Sequence, residues 1–489
     1  KALKTTMPMK IGDSVDIKRW LVSLGWNPTE YDMKDITLKS GTKIKRDRED
    51  LHKVVEKYVE QTLESSFCNA RCKHLKARPT YLSLKSKILD KAEKYGCKVL
   101  TNPRFTVGQE KILCKDLERI GSKFKEVQSI TEYLTYSHRR NSIESKPSTW
   151  VEGDEPEAGY LSKVRDDGRI STPADTLGAG TGRMRHKDVV NVPRVSSLYG
   201  KEMRSLFTVD SNCLKIGADF DSLEAKGEGH YCFRYDDEDK SYCQSLSLPQ
   251  PNDVHSVTSR NISKVIGKEF GRTPAKSVKY GLTFGAMAAK IAIMLGVDMK
   301  TAEGIVSAFW DSAKPLADLK KAVEKWWKSK GNSKYIVGVD GRKVFTRFLH
   351  ALLNSLFQSF GAITTKTMVV FYDQLLKEEG LMVDFFKDDW KNKEFVQLMI
   401  TMHDEVALEE SKSRFTFKKF NSEEEALTFS KDSDKIWSEP IKRGGYIYLA
   451  YSRAGELISK AVSMTNKHYK LNIDLTMGYV IGRNWSETH

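Results

Sequence analysis

The sequence predicts an α+β fold, because helical and strand-like patterns are segregated along the chain. Apolar residues recur with a helical period in residues 1–150, 250–330 and 350–379. Residues 160–219 instead alternate between short strands and turns, and two apolar runs flank residues 403–405. This segregation is typical of the α+β class.

The individual elements follow from local signals. Amphipathic helices are predicted at Val15–Val22, Leu51–Leu63, Phe124–Tyr136, Ala302–Trp310, Leu316–Trp327 and Ala454–Tyr469. Asp340-Gly341 predicts a hairpin between Tyr335–Val339 and Lys343–Phe348. Two prolines make Ser145–Glu157 a predicted boundary loop. The polar stretch Ser411–Ser452 is predicted to be an irregular excursion.

Composition limits the class of protein. The 489 residues are 39% hydrophobic and 30% charged, as expected of a soluble globular protein. No apolar run reaches the roughly 20 residues that a membrane span needs. The net charge is +15, and residues 1–150 hold 31 Lys and Arg against 19 Asp and Glu. This excess favours a polyanionic partner, and the alternative is a solvated basic face.

The chain start and the cysteines bear on processing and location. Lys1-Ala2-Leu3-Lys4 has neither an initiator Met nor an apolar signal segment, so we expect a processed or truncated C-terminal piece. Seven Cys without a secretion signal predict reduced thiols and a cytoplasmic location.

Asp219 and Asp404 are the first candidate site residues. Each lies at the end of an apolar run, in Asp219-Phe220-Asp221-Ser222-Leu223-Glu224 and in His403-Asp404-Glu405. Two strand-borne carboxylates can share a pair of divalent ions, and hard oxygen ligands favour Mg²⁺. Each Asp taken singly is better explained as a strand end or a turn. Their shared setting, with a basic helix between them, favours phosphoryl transfer.

That helix is predicted to begin near Arg272. Arg272, Lys276 and Tyr280 are spaced four apart, so they project from nearly one face. Pro274 suits a first turn, and helix N-termini attract phosphate. His255 is a further candidate phosphate contact. Gly271-x4-Lys276-Ser277 lacks the second Gly of a phosphate-binding loop, so a nucleotide triphosphatase is rejected.

Two other patterns are typical of ligand sites. Gly178–Gly182 is not followed by a buried helix, so a loop that delivers Arg183 fits better than a dinucleotide site. A structural zinc site is a further possibility, although its C-x3-C spacing has no matching second pair and unrelated buried thiols are the alternative. Its ligands would be Cys68, Cys72, Cys97 and Cys114.

Together these motifs resemble family A DNA polymerases, and within them the replicative enzymes of short-tailed bacteriophages. The motif around Asp219, the helix from Arg272 to Gly285 and His403-Asp404-Glu405 occur in family order. The resemblance covers residues 160–489. Its other matches are Thr181-Gly182-Arg183, Asn191-Val192-Pro193, Tyr199-Gly200, Asp253-Val254-His255, Asp340–Val344, Asn354-x3-Gln358 and Gly482-x-Asn484-Trp485.

The resemblance implies a right-hand polymerase fold, with a palm built on an antiparallel sheet and with helical fingers and thumb. The implied domains are a thumb region at 1–150 with a basic insertion at about 52–118, palm at 151–232, fingers at 233–335 and palm again at 336–489, with the excursion at about 411–452. The implied partners are primer-template DNA and deoxynucleotides. A separate exonuclease-bearing polypeptide or processivity factor is a further candidate partner, because we expect no exonuclease in this chain.

The resemblance also implies residue roles. Two Mg²⁺ ions would be bound by Asp219, Asp404 and the Phe220 carbonyl. Arg272, Lys276 and His255 would hold the triphosphate, with Lys276 protonating the pyrophosphate. Tyr280 would stack on the nascent base pair and Glu224 would exclude a ribose 2′-hydroxyl. The implied DNA contacts are Arg183, Asn354, Gln358 and His403.

Four positions depart from the family pattern. Asp221 replaces the usual Ser, which adds a charge beside Asp219, and Ser222 replaces the usual Gln or Gly. Lys226 replaces Arg and Phe284 replaces Tyr. Competing interpretations are a single-subunit RNA polymerase, against which Glu224 argues, and a non-catalytic DNA-binding protein that kept the fold.

Overall fold

The structure is a computed structural model. It describes residues 14–26, 28, 31–35, 98–107, 112–144 and 159–488, the last range apart from 190, 249, 268, 296, 332–333 and 383–393. The chain divides into two compact units, Lys1–Val164 and Arg165–His489. In the described part of the chain, no helix has the length and apolar character to cross a membrane.

The first unit holds a small helical core. Its described elements are α1 (Ser14–Ser23), β1 (Tyr31–Asp35), β2 (Lys98–Pro103), β3 (Thr106–Val107), β4 (Ile112–Leu113), α2 (Lys115–Gly121), α3 (Lys125–Glu144) and a 3₁₀ turn at Tyr160–Lys163. Leu21, Leu117 and Val127 are buried together, and Trp26 stacks on Phe105 at 5.6 Å. The helices predicted at Val15–Val22 and Phe124–Tyr136 are confirmed, and the second continues to Glu144.

Several expectations fall on residues that the structure does not describe. The predicted helix Leu51–Leu63 and almost all of the boundary loop lie outside the described residues, as does most of the basic insertion at 52–118. The division into thumb, palm and fingers stays a prediction.

The second unit is built around a four-stranded antiparallel sheet. Its strands, in spatial order, are β10 (Val396–Met402), β11 (Glu405–Ser411), β7 (Cys213–Phe220) and β15 (Met477–Gly482). The central strand β7 is mostly buried, so it reads as an apolar run rather than an alternation. Asp219 lies opposite Glu405 on one side and Gly478 on the other.

Two long helices share a core with this sheet. They are α12 (Leu352–Glu378) and α14 (Arg453–Tyr469). Phe360 and Leu457 are buried in the same cluster as Ile216 of β7. The predicted helices at 350–379 and Ala454–Tyr469 are therefore confirmed within one or two residues of their ends.

A second core is mainly helical. A short helix, α4 (Gly200–Ser205), precedes β7. The helices that follow β7 are α5 (Leu223–Cys232), α6 (Ser241–Ser245), α7 (Val254–Ile266), α8 (Arg272–Thr283), α9 (Ala288–Leu295), α10 (Met299–Ser312) and α11 (Lys314–Lys328). Further 3₁₀ turns lie at Phe233–Tyr235, Leu349–Ala351 and Lys412–Arg414. Gly227 of α5 packs on Phe360, and a Cβ at Gly227 would lie 2.5 Å from that ring. Only glycine permits α5 to approach α12 so closely.

Two separate two-stranded sheets are formed by β-hairpins. β5 (Ala174–Asp175) pairs with β6 (Arg185–His186), and β8 (Tyr335–Val337) pairs with β9 (Lys343–Phe345). The second confirms the hairpin predicted from Asp340-Gly341. Gly341 has φ +80, in the left-handed region that a tight turn needs.

The prediction that Ser411–Ser452 is irregular is wrong. This segment forms a three-stranded sheet of β12 (Thr416–Phe420), β14 (Tyr446–Tyr451) and β13 (Ile441–Arg443), with helix α13 (Glu423–Asp432). Phe420, Ala426, Trp437 and Leu449 are buried together. The Lys418 ammonium lies 3.9 Å from the centre of the Phe429 ring. Its polar composition misleads because lysines of this segment pack their ammonium groups over buried or half-buried aromatic rings.

Candidate active site

Asp219 and Asp404 lie at the ends of two neighbouring strands of the central sheet, β7 and β11, on the side of the sheet where β7 ends and β11 begins. Asp219 is the residue before the last in β7 and is paired in register with Glu405, so their Cα atoms lie roughly 5 Å apart. Asp404 directly precedes Glu405, in a two-residue turn with His403. His403 has φ 59, a left-handed conformation that is uncommon for a residue with a side chain. The sheet thus gathers an acidic edge from residues far apart in sequence.

The donor chemistry of this edge fits Mg²⁺. Carboxylate and backbone carbonyl oxygens are the ligands that this ion accepts, with water and phosphate oxygens completing the shell. Among the described residues, no group of three or more His, Cys, Asp or Glu side chains is placed to hold a metal. To complete the ligand shell of a Mg²⁺ ion, the two carboxylates would therefore need a backbone carbonyl oxygen, such as that of Phe220, and oxygens of the substrate.

Glu224 adjoins this edge and is held by Arg183. It lies in the first turn of α5, and Arg183 Nη2 donates to its Oε1 at 2.9 Å. Burial raises the pKa of Glu224, the Arg183 charge opposes that rise, and the Asp404 charge adds to it. Arg183, Glu224 and Asp404 therefore form one electrostatic group, which brings three of the predicted site residues together.

His403 lines a small pocket together with Arg183. Its ring centre is 6.4 Å from that of His186, whose Nε2 contacts the Thr401 carbonyl at 2.6 Å. Burial lowers the pKa of His403, and the neighbouring Arg183 charge lowers it further. The pocket is lined by Arg183, Met184, Ala362, Thr365, Lys366, Thr401 and His403.

Lys366 is a functional candidate that the sequence did not reveal. From the middle of α12, its Nζ donates to the Gly182 carbonyl at 2.6 Å and also to the Thr176 carbonyl. These bonds fix the loop that carries Arg183. A lysine on a long amphipathic helix gives no sequence signal for this, because its targets lie more than 180 residues earlier.

Helix α8 presents the predicted basic face, although Arg272 is already engaged. Arg272 donates from Nη2 to Asp253 Oδ1 at 2.9 Å and from Nε at 3.1 Å. Asp253 also caps α7 by accepting from the backbone of His255 and Ser256. Burial raises the pKa of Asp253, yet the bonds from Arg272 and Ser256 outweigh it and bring the pKa down to about 2. Asp253 thus ties the first turns of α7 and α8 together.

His255 and Tyr280 face each other across these two helices. Their ring centres are 5.6 Å apart, and Tyr280 is 5.8 Å from Phe284. Burial lowers the pKa of His255 to about 4, assisted by the charges of Lys279, Lys276 and Arg272. Its Nδ1 is buried and has no hydrogen-bond partner in the described structure. His255 is therefore neutral at physiological pH and close to the Lys276 charge.

A buried ion pair lies beneath Tyr280. Lys279 Nζ donates to Glu228 Oε2 at 2.7 Å, and the Tyr242 hydroxyl donates to Glu228 Oε1 at 2.5 Å. Burial, with the charges of Glu224 and Glu228, raises the pKa of Tyr280 to about 12. Removing either member of such a pair would leave an uncompensated buried charge. The pair fixes α8 against α5, which carries Glu224.

Asp221 is hydrogen-bonded to Thr476, the residue before β15. Thr476 Oγ1 donates to its Oδ2 at 2.5 Å, and the Asp221 amide donates to the Thr476 carbonyl at 3.0 Å. The buried Lys226 donates to the same Thr476 hydroxyl. Two of the departures from the family pattern are thus connected through one threonine.

The structure gives fewer contacts for the predicted DNA-binding residues Asn354 and Gln358 and for the proposed zinc ligands. Asn354 and Gln358 are half-buried on α12, and Asn354 Oδ1 is enclosed with no hydrogen-bond partner in the described structure. Of the four proposed zinc ligands, Cys114 is buried in the first unit's core. The others, Cys68, Cys72 and Cys97, lie outside the described residues, so the zinc site stays a prediction.

The fold has a clear relative among solved structures. The POL domain of Pol1 from M. smegmatis, solved in complex with DNA primer-template and dNTP, aligns with a TM-score of 0.54 and 17% sequence identity. The match covers 90% of this chain and 66% of that one. The fold is therefore that of a polymerase domain.

Sequence comparison identifies the family. The model of DNA polymerase family A matches residues 114–421, more than half of the chain. The chain is 27% identical over 301 residues to the DNA-directed DNA polymerases of Escherichia phage T7 and Enterobacteria phage T3, covering 57% of this chain and 39% of each relative. DNA polymerase I of Treponema pallidum is 22% identical over 267 residues, covering 51% and 24%. The chain belongs to DNA polymerase family A, and it spans about two fifths of the length of the phage relatives.

Proposed function

We propose that this protein is a template-directed DNA polymerase, which adds deoxynucleotides to a primer 3′ end by two-metal-ion phosphoryl transfer. The observation that carries the proposal is that the candidate catalytic and nucleotide-binding residues lie close together at the acidic edge. Asp219 and Asp404 lie at neighbouring strand ends, the Glu224–Arg183 pair adjoins them, and α8 places Tyr280 beside the same group. Family membership supplies the chemical context.

The acidic edge would hold the metal ions. Two Mg²⁺ ions bound by Asp219, Asp404 and the Phe220 carbonyl would supply a lowered pKa for the primer hydroxyl and charge neutralisation at the pyrophosphate. The protein's own contribution is to fix the carboxylates. Pairing of β7 with β11 and β15 on its two sides holds Asp219 in place.

The triphosphate would be bound at the start of α8. A helix N-terminus carries a partial positive charge, and Arg272 and Lys276 add full charges on the same face. The bond between Arg272 and Asp253 keeps the guanidinium oriented before nucleotide arrives. His255, neutral with a pKa of about 4, would donate one N–H to a phosphate oxygen, and Lys276 would protonate the leaving pyrophosphate.

Glu224 and Tyr280 would select the sugar and the base pair. Arg183 holds the Glu224 carboxylate in one orientation, so the carboxylate would fill the space of a ribose 2′-hydroxyl. The ring of Tyr280 would stack on the nascent pair. Arg183, Asn354, Gln358 and His403 would contact primer-template DNA. Arg183 would reach the minor groove, where every correct pair presents an acceptor.

The wider role follows the same proposal. We expect phage genome replication in the cytoplasm of a host cell, and no exonuclease in this chain. Incubation of the chain alone with an unpaired primer end and no nucleotide tests the second expectation. Shortening of that primer would contradict it.

Primer extension tests the proposal directly. With Mg²⁺ and deoxynucleotides, we expect wild-type protein to extend a primer and Asp404→Ala to be at least a thousandfold slower, since the variant loses a metal ligand. Glu424→Ala, an exposed carboxylate on α13, is the matched control and should be unaffected. Equal inactivity of all three would indicate a vestigial fold, and equal use of ribonucleotides would indicate an RNA polymerase.

Dideoxynucleotide incorporation tests Tyr280. In family A, a tyrosine at this position accompanies ready use of dideoxynucleotides, because its hydroxyl can replace the missing 3′-hydroxyl. Tyr280→Phe should therefore lower dideoxynucleotide incorporation strongly and leave deoxynucleotide incorporation nearly unchanged. Competition between the two nucleotides measures the ratio. An unchanged ratio would remove the role assigned to Tyr280.

A further inference from the structure

The β8–β9 hairpin exposes an aromatic surface. Tyr335 pairs with Phe345, and Val337 pairs with Lys343, so these four side chains share one face. The opposite face, with Ile336 and Val344, is buried in the helical core. Phe345 is 66% exposed. Trp326, at the end of α11, is 43% exposed. The "hairpin platform" comprises Trp326, Lys330, Tyr335, Val337, Lys343 and Phe345.

Aromatic rings and ammonium groups alternate on this platform. The Tyr335 ring centre lies 6.4 Å from that of Trp326 and 6.1 Å from that of Phe345. Lys330 Nζ is 3.6 Å from the centre of the Trp326 ring, and Lys343 Nζ is 5.1 Å from that of Tyr335. Residues 320–350 hold nine Lys and Arg against two Asp and Glu. Aromatic rings can stack on planar groups and the neighbouring ammonium groups can bind anions, so this surface suits a polyanion that carries planar groups.

A backbone contact relates the end of the candidate nucleotide-binding helix to the segment that follows the platform hairpin. Tyr280 and Phe284 are 5.8 Å apart on α8. Gly285 follows with φ +88 and packs on His350, and a Cβ there would lie 2.4 Å from the His350 carbonyl oxygen. His350 stacks on Phe348 at 5.4 Å, and Phe348 is exposed. Phe345 lies three residues before Phe348. The end of α8 therefore packs on the segment that directly follows the platform hairpin.

We propose that the hairpin platform binds the single-stranded template ahead of the templating base. Bases would stack on Trp326, Tyr335 and Phe345, while Lys330 and Lys343 would contact the phosphates between them. Stacking on rings tolerates any base, as a template requires. Charge and rings together favour single-stranded DNA over an acidic peptide, which would use the lysines and leave the rings exposed. This inference rests on the proposed polymerase function.

Binding of two primer-templates tests the proposal. One carries a short template overhang and the other an overhang of about twelve nucleotides, enough to cross a stacking surface. Fluorescence anisotropy without nucleotide gives the affinity for each. We expect the long overhang to bind roughly tenfold tighter to wild-type protein, and Phe345→Ala or Trp326→Ala each to remove about fivefold of that gain. Lys343→Gln should reduce the slope of log affinity against log salt by roughly 0.7.

Matched controls separate the platform from general effects. Phe417→Ala removes an exposed ring on β12, and Lys377→Gln removes an exposed charge on α12, and neither should change the gain. Lys343→Gln tests the proposal even if an aromatic variant fails to fold. An overhang gain that is absent, or unchanged in the platform variants, would overturn the inference. So would equal loss of affinity for both DNAs.

Two further readouts complete the test. Extension on the short overhang measures the polymerase function separately, so its failure in wild-type protein is distinct from failure of the platform. Binding of poly-glutamate and of oligo-dT is compared in the same variants. If platform variants lose poly-glutamate binding and keep oligo-dT binding, the surface is an acidic-protein site and the template proposal is wrong.

Discussion

At the scale of residues, the Asp221–Thr476–Lys226 contact explains an unusual sequence. Lys226 is buried, and burial lowers the pKa of its ammonium while Asp221 and Asp474 oppose that fall. A buried ammonium needs an acceptor, because its desolvation is otherwise uncompensated. The Thr476 hydroxyl accepts a hydrogen bond from the Lys226 ammonium and donates one to the Asp221 carboxylate. The three residues therefore keep one buried positive charge satisfied at the start of β15.

Thr476→Val tests this account. The valine keeps the shape and removes the hydroxyl, so Lys226 loses its acceptor. We expect the free energy of unfolding to fall by about 1–3 kcal/mol, as measured by urea denaturation. Thr476→Ser retains the hydroxyl and should cost much less. If the two variants unfold at the same urea concentration, the hydroxyl has no such role.

The sequence predicts some of these residues and not others, for a physical reason. Asp219 and Asp404 are each found at the end of an apolar run, which is a local signal. The Lys279–Glu228 pair joins helices 51 residues apart, and Asp221 meets Thr476 across 255 residues. Such pairs depend on how elements pack, so no window of sequence contains both partners.

At the scale of elements, strand β11 carries three buried glutamates. Glu409 is paired with Arg169 at 2.7 Å, and Trp485 Nε1 donates to Glu405 at 2.6 Å. Glu410 accepts from Ser452 and from Arg414 Nε, the latter at 3.1 Å. Burial nevertheless raises the pKa of Glu410 from its ordinary value to about 7. The strand that follows the acidic edge is therefore sensitive to pH.

The sign of that sensitivity follows from the direction of the shift. The Glu410 pKa in the folded protein, about 7, is above the unfolded value of 4.5. The folded state therefore holds more protons than the unfolded state between these values, and stability falls as pH rises through 7. We expect wild-type protein to lose up to about 3 kcal/mol of unfolding free energy from this group between pH 4.5 and pH 8.

Glu410→Gln checks the assignment. Glutamine stays neutral, so urea denaturation at the two pH values should show a smaller difference than in wild-type protein. Glu424→Gln, which removes an exposed carboxylate on α13, should behave like wild type. A Glu410→Gln variant that keeps the full pH dependence would show that another group is responsible.

Elements with a regular pattern were predictable, and the excursion was not. The hairpin at Asp340-Gly341 was found because its turn residues are local and specific. The polar composition of Ser411–Ser452 suggested an irregular excursion. Two of its lysines instead place their ammonium groups over aromatic rings, Lys418 over Phe429 at 3.9 Å and Lys419 over Tyr446 at 3.1 Å. Sequence patterns score such lysines as polar, although each makes a cation–π contact in the folded segment.

At the scale of the whole molecule, the net charge of +15 predicts binding to DNA that depends on salt. Each phosphate contact releases counterions, so affinity falls steeply as salt concentration rises. We expect affinity for primer-template DNA to fall at least roughly a hundredfold between 50 and 200 mM salt, the loss given by about four phosphate contacts. Anisotropy titrations across KCl concentrations measure the slope. A slope near zero would mean that the basic residues are only a solvated surface.

The order of strands in the central sheet has a consequence for biosynthesis. β7 leaves the ribosome before both of its partners, because β11 starts at Glu405 and β15 at Met477. Until then β7 presents two unpaired apolar edges, which are a hazard for aggregation. The nascent chain must therefore keep β7 apart from other chains while the helices between Leu223 and Glu378 are made. The acidic edge needs Asp404 and β11 beside β7, so the candidate active site can form only after residues 404–411 have emerged from the exit tunnel.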